Sequence, residues 1–335
     1  GPGYAGHALM VPNPGDYQSL EWLGHARALV HNAERIELLS NICRHRQAVI
    51  LKGRGSIQNI VCPLHRWTYA LDGRLLGAPH FPANPCLDLA RIPVTDWNGL
   101  LFAGKRDVAR DLAPLSVLAD LDFSSFMFDR IEVDEYACNW KTFIEVYLED
   151  YHVEPFHPGL GNFVNVRDLK WEFGDWYSVQ TCGVNRQLAK PGSEVYRRWH
   201  EQVLRYGEGR QPRQGAIWLT YFPNVMVEWY PHSLVVSTII PRGPEACTNV
   251  VEFYYPEDIV LFEREFVEAE QAAYKETAIE DAEICARMTE GRRALLQQGI
   301  NETGPYQSPL EDGMRHFHEF LRRELGPRLA NRPTS

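Results

Sequence analysis

The sequence predicts an α+β chain of two domains, an all-β first part followed by a mixed part that closes on a long helix. Three observations predict it. From about Asp16 to Phe102 short apolar runs alternate with turn signals, as in ALDGRL, where Asp72 and Gly73 separate two runs as a hairpin turn does. Residues 103–115, AGKRDVARDLAPL, are charged and polar, which suits a linker and gives domains of 1–106 and 107–335. From Glu257 to about Gln298 the chain is rich in Glu, Ala, Arg and Leu, lacks Gly until 291 and starts just after Pro256, which together predict one long helix.

The remaining elements follow in order. Residues 139–157, NWKTFIEVYLEDYHVEPFH, read as helix up to Pro155, residues 215–255 return to β-branched and aromatic strands, and a last short helix follows Pro309. The opening Gly-Pro-Gly is left out of the fold, and no internal repeat or low-complexity segment is found.

Composition removes several function classes. The 335 residues carry a formal charge of -10 without a basic block, with a pI near 5.7, so no nucleic acid and no anionic membrane surface is expected as a partner. No apolar run approaches the roughly 20 residues of a membrane span, so the expected location is cytoplasmic. Seven cysteines are too sparse and too irregular for a secreted disulfide framework.

Two of those cysteines have companions. Cys43 is followed two places on by His45; after sixteen residues Cys62 is followed three places on by His65. Two thiolates and two imidazoles could close a tetrahedral zinc site. Zinc-finger spacing, however, groups cysteines with cysteines, whereas here each arm carries one of each. A [2Fe-2S] cluster with one iron on two thiolates and the other on two imidazoles needs that arrangement. Neutral imidazoles remove negative charge from one iron and raise the potential by roughly several hundred millivolts over an all-cysteine cluster.

A second group lies in the 139–157 stretch. Glu145, Glu149 and His152 fall at i, i+4 and i+7, one face of the expected helix. Pro155 ends or kinks that helix and lets His157 turn toward the same point as His152. Two histidines and a distant carboxylate, with coordination positions left open, form the facial triad of O₂-activating non-haem Fe(II). Asp281 shares a helical face with Tyr274, Ala278, Cys285 and Met288, and a buried carboxylate there costs several kcal/mol unless a metal or partner offsets it. Glu280 and Glu283 are the alternatives and are read as solvent-facing.

At these residues the chain resembles the catalytic α subunit of Rieske non-haem iron ring-hydroxylating oxygenases. Cys43 and His45 match the first cluster ligands, CPLHRWTY the second loop, and Asn139, Trp140, Lys141, His152 and His157 the iron motif. Two departures stand out: Arg66 replaces the Gly that usually follows the second-loop His, and the first loop reads His-Arg-Gln-Ala where His-Arg-Gly is commoner. Either the second turn differs or Arg66 adopts an unusual conformation. The resemblance implies an N-terminal Rieske [2Fe-2S] domain and a helix-grip (START-like) catalytic domain with a curved antiparallel sheet. It also implies Asp281 as third iron ligand and Glu149, with neighbouring Asp150 as the alternative, as the acid linking a cluster histidine of one subunit to an iron histidine of its neighbour, in a head-to-tail homotrimer.

The expected activity is that of a terminal oxygenase, using O₂ and electrons from a flavin or ferredoxin-type reductase to hydroxylate a small substrate. Trp218, Tyr221, Phe222, Val225, Val227 and Trp229 suggest an apolar lining and an aromatic substrate, as in aromatic hydrocarbon catabolism. The alternative is oxidative demethylation of a quaternary or N-methylated amine or a methyl ether, with Trp and Tyr caging an ammonium. A different class, a Rieske electron carrier or redox sensor, requires that the second site bind no iron. Arg167, Arg186 and His232 are possible carboxylate anchors.

Overall fold

The computed structural model describes residues 3–330 and divides into two compact units between Arg110 and Asp111. The first unit is almost entirely β. Its strands are β1 (Gly3–His7), β2 (Asp16–Ser19), β3 (Arg27–His31), β4 (Ile36–Ser40), β5 (Arg54–Ser56), β6 (Ile60–Val61), β7 (Thr68–Tyr69), β8 (Leu75–Gly77), β9 (Arg91–Ile92), β10 (Val94–Trp97) and β11 (Leu100–Ala103). They form antiparallel sheets in the orders β5-β2-β3-β4-β9, β1-β11-β10 and β6-β7-β8. The Asp72-Gly73 turn joins β7 to β8 as expected, with Gly73 at φ 89° and its N–H on Ala70 O. Gly3, set aside from the sequence, opens β1 opposite Ala103. The expected linker contains a short helix, α1 (Val108–Asp111).

The second unit is built on one seven-stranded antiparallel sheet. In chain order its elements are β12 (Phe126–Tyr136), α2 (Trp140–Tyr147), α3 (Val153–Phe156), α4 (Leu160–Phe163), β13 (Val164–Phe173), β14 (Tyr177–Val184), α5 (Glu194–Tyr206), β15 (Ala216–Tyr221), β16 (Val225–Tyr230), β17 (Ser233–Gly243), β18 (Ala246–Pro256), α6 (Glu257–Phe262), α7 (Arg264–Gln297) and α8 (Asp312–Ala330). The sheet order is β12-β18-β17-β16-β15-β14-β13. The inner strands β15 to β18 are buried over most of their length, whereas the edge strand β12 alternates toward solvent. Val235, Val251 and Phe253 of the sheet share a core with Phe266, Val267 and Ala273 of α7, so the long helix packs on the sheet face.

Three helix expectations change. The predicted 257–298 helix breaks at Glu263 into α6 and α7, and the last helix is not short: α8 runs 19 residues. The helix expected to reach Pro155 stops at Tyr147. Asn139 caps its start by accepting from Lys141 N–H at 3.0 Å. Past its end, the Glu149 carboxylate accepts from the N–H groups of Tyr151 (2.7 Å) and His152 (3.1 Å), folding a turn instead of another helical turn. Pro155 lies inside α3, where its missing N–H is one the first helical turn does not use. Among the described residues no helix is long and apolar enough to cross a membrane.

Candidate active site

In the first unit the two Cys-His loops are built alike. Cys43 N–H donates to Ala48 O (2.8 Å) and Gln47 N–H to Cys43 O (3.1 Å); Cys62 N–H donates to Trp67 O (2.8 Å) and Arg66 N–H to Cys62 O (3.1 Å). The fourth residue after each cysteine, Gln47 or Arg66, sits at φ 59°. Of the two outcomes open to Arg66, the second holds: the turn is kept and a long side chain occupies the left-handed position. Gln47 does the same in the first loop.

The thiols point inward, with Cys43 and Cys62 at 2% and 1% exposure, while His45 is half-buried and His65 exposed. The two imidazoles lie 4.8 Å apart between centroids, and His45 stacks on Trp67 at 4.9 Å. Tyr69 O–H accepts from Arg44 N–H (3.2 Å), which leaves its proton to donate to Cys43 Sγ at 3.5 Å. His45 Nδ1 is buried with no hydrogen-bond partner, an arrangement that costs energy unless a metal takes the lone pair. Two inward thiols, two converging imidazoles and an orphaned ring nitrogen fit a [2Fe-2S] cluster.

In the second unit His152, His157 and Asp281 bring one ligand atom each within 4.8 Å of one another, although the helix that was to align the first two ends before them. His152 Nε2 lies 3.0 Å from His157 Nε2, and Asp281 Oδ1 lies 3.5 and 3.1 Å from these nitrogens. The far side of each ring is held by an acid: His152 Nδ1 by Glu149 Oε1 at 2.6 Å, and His157 Nδ1 by Glu280 Oε2 at 2.7 Å. With Nδ1 engaged, each neutral ring leaves the Nε2 lone pair to a metal. Asp281 Oδ1 is buried without a properly aligned hydrogen bond, so the donor set fits a divalent cation. Burial opposes a charged Asp281, but the two imidazoles outweigh it and hold its carboxyl below the usual range.

Two acids read from the sequence are corrected. Glu145 shares no face with Glu149 and His152; it is buried and pairs with Arg292 and, at 2.9 Å, with His318. Glu280, read as solvent-facing, supports His157. Its only sequence signal is its place beside Asp281, one position round α7, from which a glutamate is long enough to reach the ring.

The triad opens on a cleft of roughly 860 Å³, mouth included. One face of α7 runs along it, with Glu270, Tyr274, Ala278 and Asp281 in sequence. The sheet contributes Trp218, Glu228 and Tyr230. Of the apolar lining expected, only Trp218 is there. β15 and β16 pair Trp218 with Glu228 and Leu219 with Val227, so Tyr221, Val225, Val227 and Trp229 point to the opposite face. Phe222 packs against Phe317 and Phe320. Arg167, Arg186 and His232 do not line the cleft; Arg167 is 84% exposed.

Two acids in the cleft were missed. Glu228 is 1% exposed and Glu270 3%. Burial pushes Glu228 up to about 8 against the hydroxyls of Tyr230 and Tyr274, and pushes Glu270 up to about 7 against those of Tyr255 and Ser233. The signal for Glu228 was an acid inside the apolar run VMVEWY, at the strand position facing the cleft.

Residues 4–93 match the Rieske [2Fe-2S] domain family, and residues 122–326 match the ring hydroxylating alpha subunit (catalytic domain). The chain belongs to the Rieske non-haem iron oxygenases. It is thus an oxidoreductase, the terminal oxygenase component of its system, with a Rieske [2Fe-2S] domain ahead of a non-haem iron catalytic domain. This Rieske oxygenase is 65% identical over 325 residues to the putrescine 2-hydroxylase of Ralstonia nicotianae, covering 97% of this chain and 89% of the relative. It is 57% identical to that of Bordetella bronchiseptica, covering 96% and 79%. Among solved structures, a quaternary ammonium Rieske monooxygenase superposes with TM-score 0.75 at 19% identity, covering 96% and 88% of the two chains. A naphthalene 1,2-dioxygenase from Rhodococcus superposes with 0.70 at 19%, covering 99% and 90%. These two likenesses concern the fold.

Proposed function

We propose that this Rieske oxygenase hydroxylates an aliphatic diamine of the putrescine type. The observation that carries the reading is a buried acid with no counterion among the described residues, Glu228, in the cleft that opens on His152, His157 and Asp281. An arene would leave this acid facing an uncharged ligand, whereas an ammonium group supplies the charge it lacks. The identity to the two putrescine 2-hydroxylases points the same way.

In this reading Cys43, His45, Cys62 and His65 hold the cluster, and His152, His157 and Asp281 hold the iron. When bound, the two centres supply one-electron transfer and O₂ activation. The chain does the rest. Glu149 and Glu280 fix the ring orientations, Asp281 balances charge, and the cleft walls exclude water and align the chain of methylenes. The exposed edge of His65 is a natural contact for a flavin or ferredoxin-type reductase. Glu149, already on His152, also couples the iron site to a neighbouring subunit's cluster in a head-to-tail homotrimer, the closed outcome of a heterologous interface.

A second reading, oxidative demethylation of a quaternary or N-methylated amine, is favoured by the rings of Tyr147, Trp218 and Tyr230 around the cleft. Turnover with a reductase on a panel of diamines, methylated amines and aromatic acids decides among these. The expected product is a hydroxylated diamine with both nitrogens retained. Formaldehyde from methylated amines, or an oxygenated arene, with diamines untouched, overturns the reading.

A further inference from the structure

Glu228 has two hydroxyl donors and, among the described residues, no counterion. Its Oε2 accepts from Tyr230 O–H at 2.8 Å and its Oε1 from Tyr274 O–H at 3.1 Å. Tyr230 is itself held by Trp218 Nε1–H at 2.9 Å. Among the described residues no Lys, Arg or His forms an ion pair with it. A carboxylate has about four acceptor sites, so two remain for a ligand in the cleft.

We propose that Glu228, with Tyr230 and Tyr274, seats one terminal ammonium of the substrate and thereby selects the carbon that is hydroxylated. This rests on the diamine reading above. The aromatic walls suit it: Tyr147, Trp218, Tyr230 and Tyr274 form a chain of edge-on rings at 6.3–6.4 Å, faces that attract a cation. Tyr147 Oη is buried without a hydrogen-bond partner, and its lone pairs can accept an ammonium N–H.

The position of Glu228 makes it a ruler. Tyr274, which holds it, and Asp281 lie seven residues apart on one face of α7, about 10.5 Å along the helix. An ammonium bound at Glu228 leaves a short methylene chain reaching toward the three ligand atoms, and its length fixes which C–H arrives there. Glu270, by the same count about 16.5 Å from Asp281, is out of reach of a four-carbon chain.

Burial, reinforced by the charges of Glu270 and Asp281 and opposed by the hydroxyls of Tyr230 and Tyr274, pushes Glu228 up to about 8, so near neutrality a bound ammonium becomes its counterion as a proton leaves.

The test is calorimetry of putrescine binding to the iron-loaded protein without O₂, on wild type, Glu228→Gln, Tyr274→Phe and Glu270→Gln, with iron content and the visible spectrum as folding controls. Glu228→Gln should weaken binding at least about 30-fold, the cost of removing one partner of a buried charge pair. Tyr274→Phe should weaken it by about 3- to 10-fold through the lost hydrogen bond, and Glu270→Gln should bind like wild type. Buffer-dependent proton release near pH 7 should be present in wild type and absent from Glu228→Gln, which a merely structural role would not produce. Wild-type affinity in both Glu228→Gln and Tyr274→Phe, with the diamine still hydroxylated, overturns the anchor and leaves the diamine reading standing. A wild-type protein that binds no diamine overturns that reading and the anchor with it.

Discussion

Glu280 Oε2 holds His157 Nδ1 at 2.7 Å, the counterpart of the 2.6 Å contact between Glu149 and His152. Each of the two clustered imidazoles therefore has its own acid, one from the turn after α2 and one from the middle of α7, and both rings turn Nε2 toward Asp281.

Glu280→Ala frees the His157 ring and should lower mononuclear iron affinity about 10- to 100-fold while the protein stays brown. Asp281→Ala, which removes the proposed third ligand, should lose the iron at least as fully. Glu283 is 57% exposed and pairs with Arg287, so Glu283→Ala should be silent. Metal analysis after dialysis checks all three, and an iron-replete Glu280→Ala refutes the supporting role.

The left-handed backbone at Arg66 and Gln47 yields a stability prediction. An L-residue there costs about 1–2 kcal/mol, and glycine would relieve this while adding about 0.5–1 kcal/mol of unfolded-chain entropy. Arg66→Gly and Gln47→Gly should each stabilise the protein by about 0.5–1 kcal/mol, read as a higher urea midpoint for loss of the visible absorption. A lower midpoint would mean that the long side chains contribute contacts of their own.

Much of the site was legible because it is local. Cys43, His45, Cys62 and His65 lie within 23 residues, and His152 and His157 within six. Asp281 was legible through the periodicity of its helix. What failed depended on tertiary context. The end of α2 is set by Glu149 capping the following turn, which competes with helix for the same N–H groups. The cleft lining was misjudged because strand alternation gives two faces without saying which faces the His152-His157-Asp281 cluster, and it is the face with Glu228. Glu280 was invisible because a residue on the flank of a helix can still reach a partner that only the fold supplies.

Glu149→Gln separates wiring from ligation. The amide can still accept from His152 Nδ1–H, so both metals should stay, while loss of the charge slows electron delivery from cluster to iron. Rapid mixing of reduced protein with O₂ and substrate should show slower cluster oxidation, and an unchanged rate removes Glu149 from the path.

Affinity for the diamine should depend on pH with a definite sign. Glu228 is pushed up to about 8 in the free protein, mainly by burial. Below that value binding must expel a proton, so the association constant should rise about tenfold per pH unit and level off above about pH 8. In Glu228→Gln this rise should disappear. Binding in wild type that is flat from pH 6 to 8 contradicts the protonated resting state.

The most direct measurement is a single turnover without reductase. Fully reduced protein carrying both centres is mixed with putrescine and ¹⁸O₂, and the quenched mixture is analysed by mass spectrometry. The expected result is cluster oxidation together with an amino alcohol that keeps both nitrogens and gains one ¹⁸O. Cluster oxidation with the diamine unchanged, or with label only in formaldehyde from a methylated amine supplied beside it, contradicts the account.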